Sequence, residues 1–286
     1  MSLQTFFILL NDYELNGVGS GVYLNAVTGL GNLDIRISGD LYSGRDGGFV
    51  STQFLDQRGI SIQGTIFADD SATAENKRRE VIAAVSGLDV EMVIRTFAGS
   101  EYTIQTKLVK IDGLEFNGNK FSYQFRIELL APDPYIYETT DGDELSAAIA
   151  ISEGGGYTMD YNTDEGYVLP VEWEASEQPV TITNNGNATF TPVIYLYGEL
   201  SNPVITNQTT GQSMSLTLTS STGDVIKIDN KNRTITLNGG NILALMGSSS
   251  QWIEIQPGDN IFVLTTDTQA DTGSGLIEWF NTYIGI

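Results

Sequence analysis

The 286 residues carry 14 Lys/Arg against 36 Asp/Glu, a formal net charge of −22, and include neither cysteine nor histidine. Disulfides, thiol chemistry, Ser-His-Asp catalysis and zinc sites of His/Cys type are therefore excluded. So large an acidic excess argues against nucleic acid or an anionic membrane as ligand, and the length favours two domains, each able to bury its own core.

Phe6 to Leu10 is a short apolar run with no basic leader, followed by Asp12 and Glu14. That pattern fits a buried first strand rather than a signal peptide, and no segment approaches transmembrane length. Val22 to Leu24, Asp34 to Ser38 and Gly59 to Phe67 read as strands, with Gly44-Arg-Asp-Gly-Gly48 as a turn. Ser71 is placed to cap a helix running to about Val85, with Gly87 as its stop and with Val81, Ile82, Val85 and Leu88 on one face. Strands follow at Glu91 to Thr96, Glu101 to Ile111 and Gly113 to Phe116, and Asn117-Gly118 turns into an alternating strand from Phe121 to Leu129.

Pro132 and Pro134 stop that strand, because proline donates no backbone hydrogen bond and restricts the residue before it. The charge balance changes at the same place. Residues 1–131 hold 11 Lys/Arg and 16 Asp/Glu, whereas residues 132–286 hold 3 and 20. We therefore expect a β domain over 1–132, an acidic linker or long loops over 133–168, and a second β domain over 169–286. From Leu169 short strands are separated by turn residues: Val171–Trp173, Val180–Thr183, Thr189–Tyr197, Ser213–Leu218, Val225–Ile228, Thr234–Leu237, Trp252–Ile255, Ile261–Leu264 and Leu276–Ile284. Many short strands and little helix point to a β-sandwich.

Candidate chemistry is sparse. The Lys77-Arg78-Arg79 cluster reads first as a solvated helix face, diluted by Glu75 and Glu80. The acidic tracts at 138–144 and 160–165 lack the ligand spacing of a calcium loop, and Gly154-Gly-Gly156 lacks the Lys-Ser/Thr of a phosphate loop. Trp173, Trp252 and Trp279 lie inside strand patterns, which favours core packing over a sugar platform. No carboxylate pair is marked out as a glycosidase pair. No cofactor or metal is implied.

The order of these motifs resembles the distal tail proteins of long-tailed bacteriophages. In the first half the matching pieces are Gly44-Arg-Asp-Gly-Gly48, Gln57-Arg-Gly-Ile-Ser-Ile-Gln-Gly-Thr-Ile66, the helix near 72–86 and the strand into Ala131-Pro-Asp-Pro134. In the second half they are Asn185-Gly-Asn-Ala188, Pro192-Val-Ile-Tyr-Leu-Tyr-Gly198, the run from Asn202 to Gly211, Gly223 to Asp229 and Trp252 to Asn260. The resemblance implies a mainly β fold: an N-terminal split β-barrel with one helix, and a C-terminal galectin-like or carbohydrate-module-like β-sandwich. It implies a structural protein at the distal end of the virion tail, made in the host cytoplasm. There it forms a homo-hexamer ring between the tail tube protein and tail-tip, tail-associated or receptor-binding proteins, with DNA passing through the lumen. No catalytic residue, cofactor, specific nucleic-acid contact or membrane insertion comes with it. The basic and turn residues of the first half, Arg45, Asp46, Arg58, Lys77, Arg78 and Arg79, are the candidate ring interface. Two alternatives stand beside this: a carbohydrate-binding module or adhesin recognising cell-surface glycan, which exposed tryptophans would favour, and a glycoside hydrolase.

Overall fold

The computed structural model describes residues 6–17, 19–31, 34–96, 98–115, 121–139, 144–152, 159–162, 168–171, 178–268 and 271–286. The chain divides into two compact units, Met1–Asp143 with Tyr283–Ile286, and Glu144–Thr282. The last four residues thus return to the unit in which the chain began. The turn at Asn117-Gly118, the glycines 154–156, Trp173 and most of the two acidic tracts lie outside the described residues.

The first unit holds β1 (Phe6–Leu10), β2 (Tyr13–Leu15), β3 (Val22–Thr28), β4 (Ile35–Leu41), β5 (Gly48–Leu55), β6 (Arg58–Phe67), α1 (Ser71–Val85), β7 (Asp89–Thr96), β8 (Glu101–Asp112), β9 (Ser122–Ala131) and β10 (Ile136–Glu138). Its main sheet runs in the order β2-β1-β7-β8-β9-β6-β3, and β10 pairs with β8. The longest ladder, β6 with β9, keeps register from Arg58↔Ala131 to Phe67↔Ser122. Strict alternation in β6 puts Ile60, Ile62 and Ile66 inside, facing Phe125, Ile127 and Leu129. Each such fully buried side chain contributes roughly 1.5–3 kcal/mol. Gly64 is required here, since a Cβ would come within 2.7 Å of the Phe125 ring. The two ends of the sheet approach each other at Asn16, whose amide nitrogen donates to Val22 O while its side-chain oxygen accepts from Leu24 N.

Helix α1 lays Ala74, Val81 and Val85 on this core. Its cap is Asp70 rather than Ser71, because the Asp70 carboxylate accepts from the amides of Ala72 and Thr73. Leu88 does not continue the apolar stripe. It lies past the end of the helix at φ +67°, where the chain turns into β7, and its side chain is exposed. Gly113 and Leu114 leave the ladder instead of forming a strand.

The second unit contains β11 (Leu145–Ala150), β12 (Met159–Asn162), β13 (Val168–Val171), β14 (Val180–Asn184), β15 (Val193–Tyr197), β16 (Val204–Asn207), β17 (Gln212–Ser215), β18 (Val225–Asp229), β19 (Thr234–Leu237), β20 (Gly240–Asn241), β21 (Gly258–Thr265), β22 (Ser274–Trp279) and the start of β23 (Asn281–Tyr283). A six-stranded sheet, β11-β22-β15-β18-β19-β20, and a four-stranded one, β14-β21-β16-β17, share one core. Ile194, Ile226, Ile228 and Ile277 from the first meet Ile182, Ile205, Phe262 and Leu264 from the second. The expected sandwich is therefore present. Of the stretch expected as linker or loops, Ile136–Glu138 and Leu145–Ala150 are strands, and Leu145 sits opposite Trp279.

The segment Trp252–Ile255, expected as a strand, meets its neighbours mostly through side chains. Ile253 N donates to the Asn230 side chain at 2.8 Å, Glu254 N to Gln212 at 2.9 Å, and Gln256 N to Asn260 at 3.0 Å. Buried Asn207 and Asn260 accept and donate in the same network. A backbone satisfied by amide side chains needs no ladder.

Candidate self-association surface

β4 and β5 form a two-stranded sheet of their own, pairing from Ile35↔Leu55 to Leu41↔Gly48 with a bulge between Ser38 and Gly39. An isolated hairpin is marginally stable in water. This one is also apolar: Ile35, Ile37, Val50 and Phe54 are each 56–58% exposed and Leu41 is 86% exposed. Register places Ile35, Ile37 and Leu55 on one face and Arg36 with Phe54 on the other, where the guanidinium lies 5.9 Å from the ring centroid. Apolar residues that no other part of the described chain covers mark a contact surface.

The tip is built by glycine. Gly44 and Gly47 have φ of +77° and +97°, and Tyr42 N donates to Gly47 O at 3.0 Å. Arg45 stands over the Tyr42 ring at 3.9 Å, and Tyr42 packs 6.0 Å from Phe49. Arg45 and Asp46 are thus together at the hairpin tip.

Arg58 is elsewhere, at the hairpin base, and is only 2% exposed. Its Nε donates to Pro134 O at 2.7 Å, Nη1 to Gly29 O at 2.7 Å and Leu30 O at 3.1 Å, and Nη2 to Ile284 O. Burial lowers the pKa of the guanidinium from its ordinary value. One side chain therefore joins the strand leaving β3, the proline seam and the returning C-terminal segment.

Lys77, Arg78 and Arg79 lie on α1, apart from both. Arg78 makes a bidentate contact to Glu75 at 2.8 Å and a further bond to Leu114 O, Arg79 reaches Glu75 at 3.0 Å, and Lys77 reaches Glu80 at 3.1 Å. Hydrogen bonds from Arg78, and then from Arg79, hold the Glu75 carboxyl down at about 2. Lys77 and Arg79 lie on the solvated face of the helix, whereas the Arg78–Glu75 pair is largely buried and ties α1 to Leu114. The candidate set thus occupies three places: tip, base and helix. Sequence pattern alone did not find β5 or the exposed apolar residues of the hairpin, because Ser51, Thr52 and Gln53 break the alternation.

Trp279 is buried, with its indole donating to Thr183 O at 3.3 Å, and Trp252 packs against the same core. Neither offers an open ring to a sugar. Among the described residues no group of three or more Asp or Glu is arranged to hold a metal ion.

Together, a sheet with one helix, an exposed apolar hairpin and a sandwich define a two-unit, mainly β chain. Residues 185–283 match the family model described as the siphovirus-type tail component, C-terminal domain. Over 97% of this chain and 99% of the other, the fold is that of SPP1 Dit, at 14% identity and a TM-score of 0.66. That protein is described as a paradigm of the hub adsorption apparatus in Gram-positive-infecting phages. The resemblance to distal tail proteins is thereby borne out. A chain of the phage P2 baseplate in its calcium-activated conformation also aligns, at 11% identity over 96% and 97% of the two chains with a TM-score of 0.45. No curated protein sequence matches.

Proposed function

We propose that this chain is the hub of a phage tail tip. It closes a homo-hexameric ring through its first unit, at the distal end of the tail, between the tube protein and the tail-tip or receptor-binding proteins. The carrying observation is the β4–β5 hairpin, an apolar ribbon with no cover of its own in the less charged half of the chain. Hairpins of this kind gain stability when a neighbouring copy buries them. Like charge opposes packing between second units, since Glu144–Thr282 carries 16 Asp/Glu against 3 Lys/Arg. In this ring Arg58 acts by fixing the hairpin base, while Arg45 and Asp46 reach the neighbour.

The role is structural rather than enzymatic. DNA passes through the lumen without capture, because 36 acidic residues outnumber 14 basic ones and counterion release has little to work with. Light scattering coupled to size exclusion tests the ring, with the mass of a closed oligomer expected. Replacing Ile37 and Phe54 together by Asp should give monomers of unchanged stability, since both side chains are exposed. Native protein that stays monomeric at high concentration and moderate salt refutes the ring. A gel shift at low salt showing sub-micromolar DNA binding refutes the electrostatic argument.

A further inference from the structure

A ring of identical chains needs a heterologous contact, in which two different surfaces of the chain meet head to tail. On the ring reading above, the hairpin is one of these surfaces, and the first unit also carries a fitting second one. β3 and β6 pair from Val22↔Ile66 to Thr28↔Ser61. The hairpin leaves this ladder at its Thr28/Arg58 end. Beyond the other end, roughly 20–30 Å away at the usual rise per residue, lies an open cleft of about 390 Å³. A projection at one end and a recess at the other is the placement that head-to-tail closure requires.

The cleft chemistry complements the hairpin tip. Its floor is the Gly19-Ser20-Gly21 turn, where small residues leave the space open. Tyr23 and Phe67, 46% and 56% exposed, offer two aromatic rings. Of the charged groups at the rim, the Asp70 carboxylate already caps α1 and Lys77 already meets Glu80. Asp69 is exposed and makes no hydrogen bond or ion pair among the described residues. At the tip, the Arg45 guanidinium has the Tyr42 ring beneath it and makes no ion pair among the described residues. Tyrosine and arginine are the side chains that most often anchor interfaces.

We propose that this cleft is the socket for the hairpin tip of the neighbouring copy. Tyr42 lies against Tyr23 and Phe67, and Arg45 pairs with Asp69. Aromatic burial supplies affinity, while the ion pair fixes register and excludes other docking positions.

Charge reversal in the full chain tests the pairing. Arg45→Glu and Asp69→Arg should each shift the light-scattering mass from ring to monomer, and the two together should restore the ring. The absence of native cysteine allows a second test. Arg45→Cys with Asp69→Cys, treated with a mild thiol oxidant, should give a ladder of covalent oligomers on denaturing gels, and either cysteine alone should stop at dimer or below. Circular dichroism checks that each variant is folded. A native ring that survives both single reversals, or single reversals that the double variant does not rescue, overturns the socket. Native protein that never forms a ring overturns the ring reading itself, so the two failures are distinguishable.

Discussion

Replacing Arg58 by Met keeps most of the side-chain volume and removes every donor. Four backbone carbonyls, those of Gly29, Leu30, Pro134 and Ile284, each lose a hydrogen bond, although Leu30 O still accepts from Ile286 N at 3.4 Å. A hydrogen bond to a charged group contributes about 1.5–3 kcal/mol net, so four of them set an upper limit near 6–12 kcal/mol. Two effects reduce that figure. The guanidinium no longer has to be desolvated, a relief of several kcal/mol, and the half-buried carbonyls recover some water. A net loss of about 3 kcal/mol is expected, which lowers the melting temperature of a unit of this size by roughly 6–12 °C. Arg58→Lys should recover less than half of this, because an ammonium cannot fork to carbonyls on several sides. The assay separates the units by probe. All three tryptophans fall between Glu144 and Thr282, so their fluorescence follows the second unit, whereas far-ultraviolet circular dichroism follows both. The dichroism transition of the first unit should fall while the fluorescence transition stays in place. An unchanged dichroism profile, or equal shifts in both, refutes the view of Arg58 as a bolt within the first unit.

Glu75 titrates at about 2 in the folded chain, below the ordinary carboxylate value of 4.5. Its contribution is complete above the unfolded value and is lost as pH falls through the folded one, so Glu75→Gln should lower stability most at neutral pH, and its difference from the native chain should shrink as pH falls from about 4.5 to about 2. Gly186→Ala places a Cβ within 2.0 Å of Thr282 O, a backbone clash with no flexible escape, and should lower the tryptophan-detected transition by about 1–3 kcal/mol. Limited proteolysis should cut first near the Asp143–Glu144 junction of the two units and release two resistant fragments; first cuts within β11 or within 180–265 contradict that boundary.

Much of this fold is legible in the sequence because single-faced strands announce themselves. β6 and β9 alternate residue by residue, and Pro132 follows the last ladder residue directly. The misses have physical causes. Trp252–Ile255 has strand composition, but the Asn230 and Gln212 side chains take the amides of Ile253 and Glu254, and Ile255 makes an isolated bridge to Phe190. Leu88 has the helical spacing, but Ser86 has already ended the helix. The second strand of the hairpin, β5, escaped because a ribbon exposed on both faces imposes no period-two pattern. Its apolar residues look like core residues until a structure shows that nothing in the same unit covers them. Arg58 looked like a surface cation, since four carbonyls gathered from positions 29 to 284 leave no local trace.

The two ends of the sandwich lie next to each other, Leu145 opposite Trp279 on neighbouring strands, while the flanking chain on both sides belongs to the first unit. A segment whose entry and exit are neighbours behaves as a cassette. It can be lengthened, reshaped or exchanged wholesale, and the host sheet still finds its final residues and fastens them with Arg58. The unit proposed to assemble and the sandwich are thereby separate pieces of a single polypeptide.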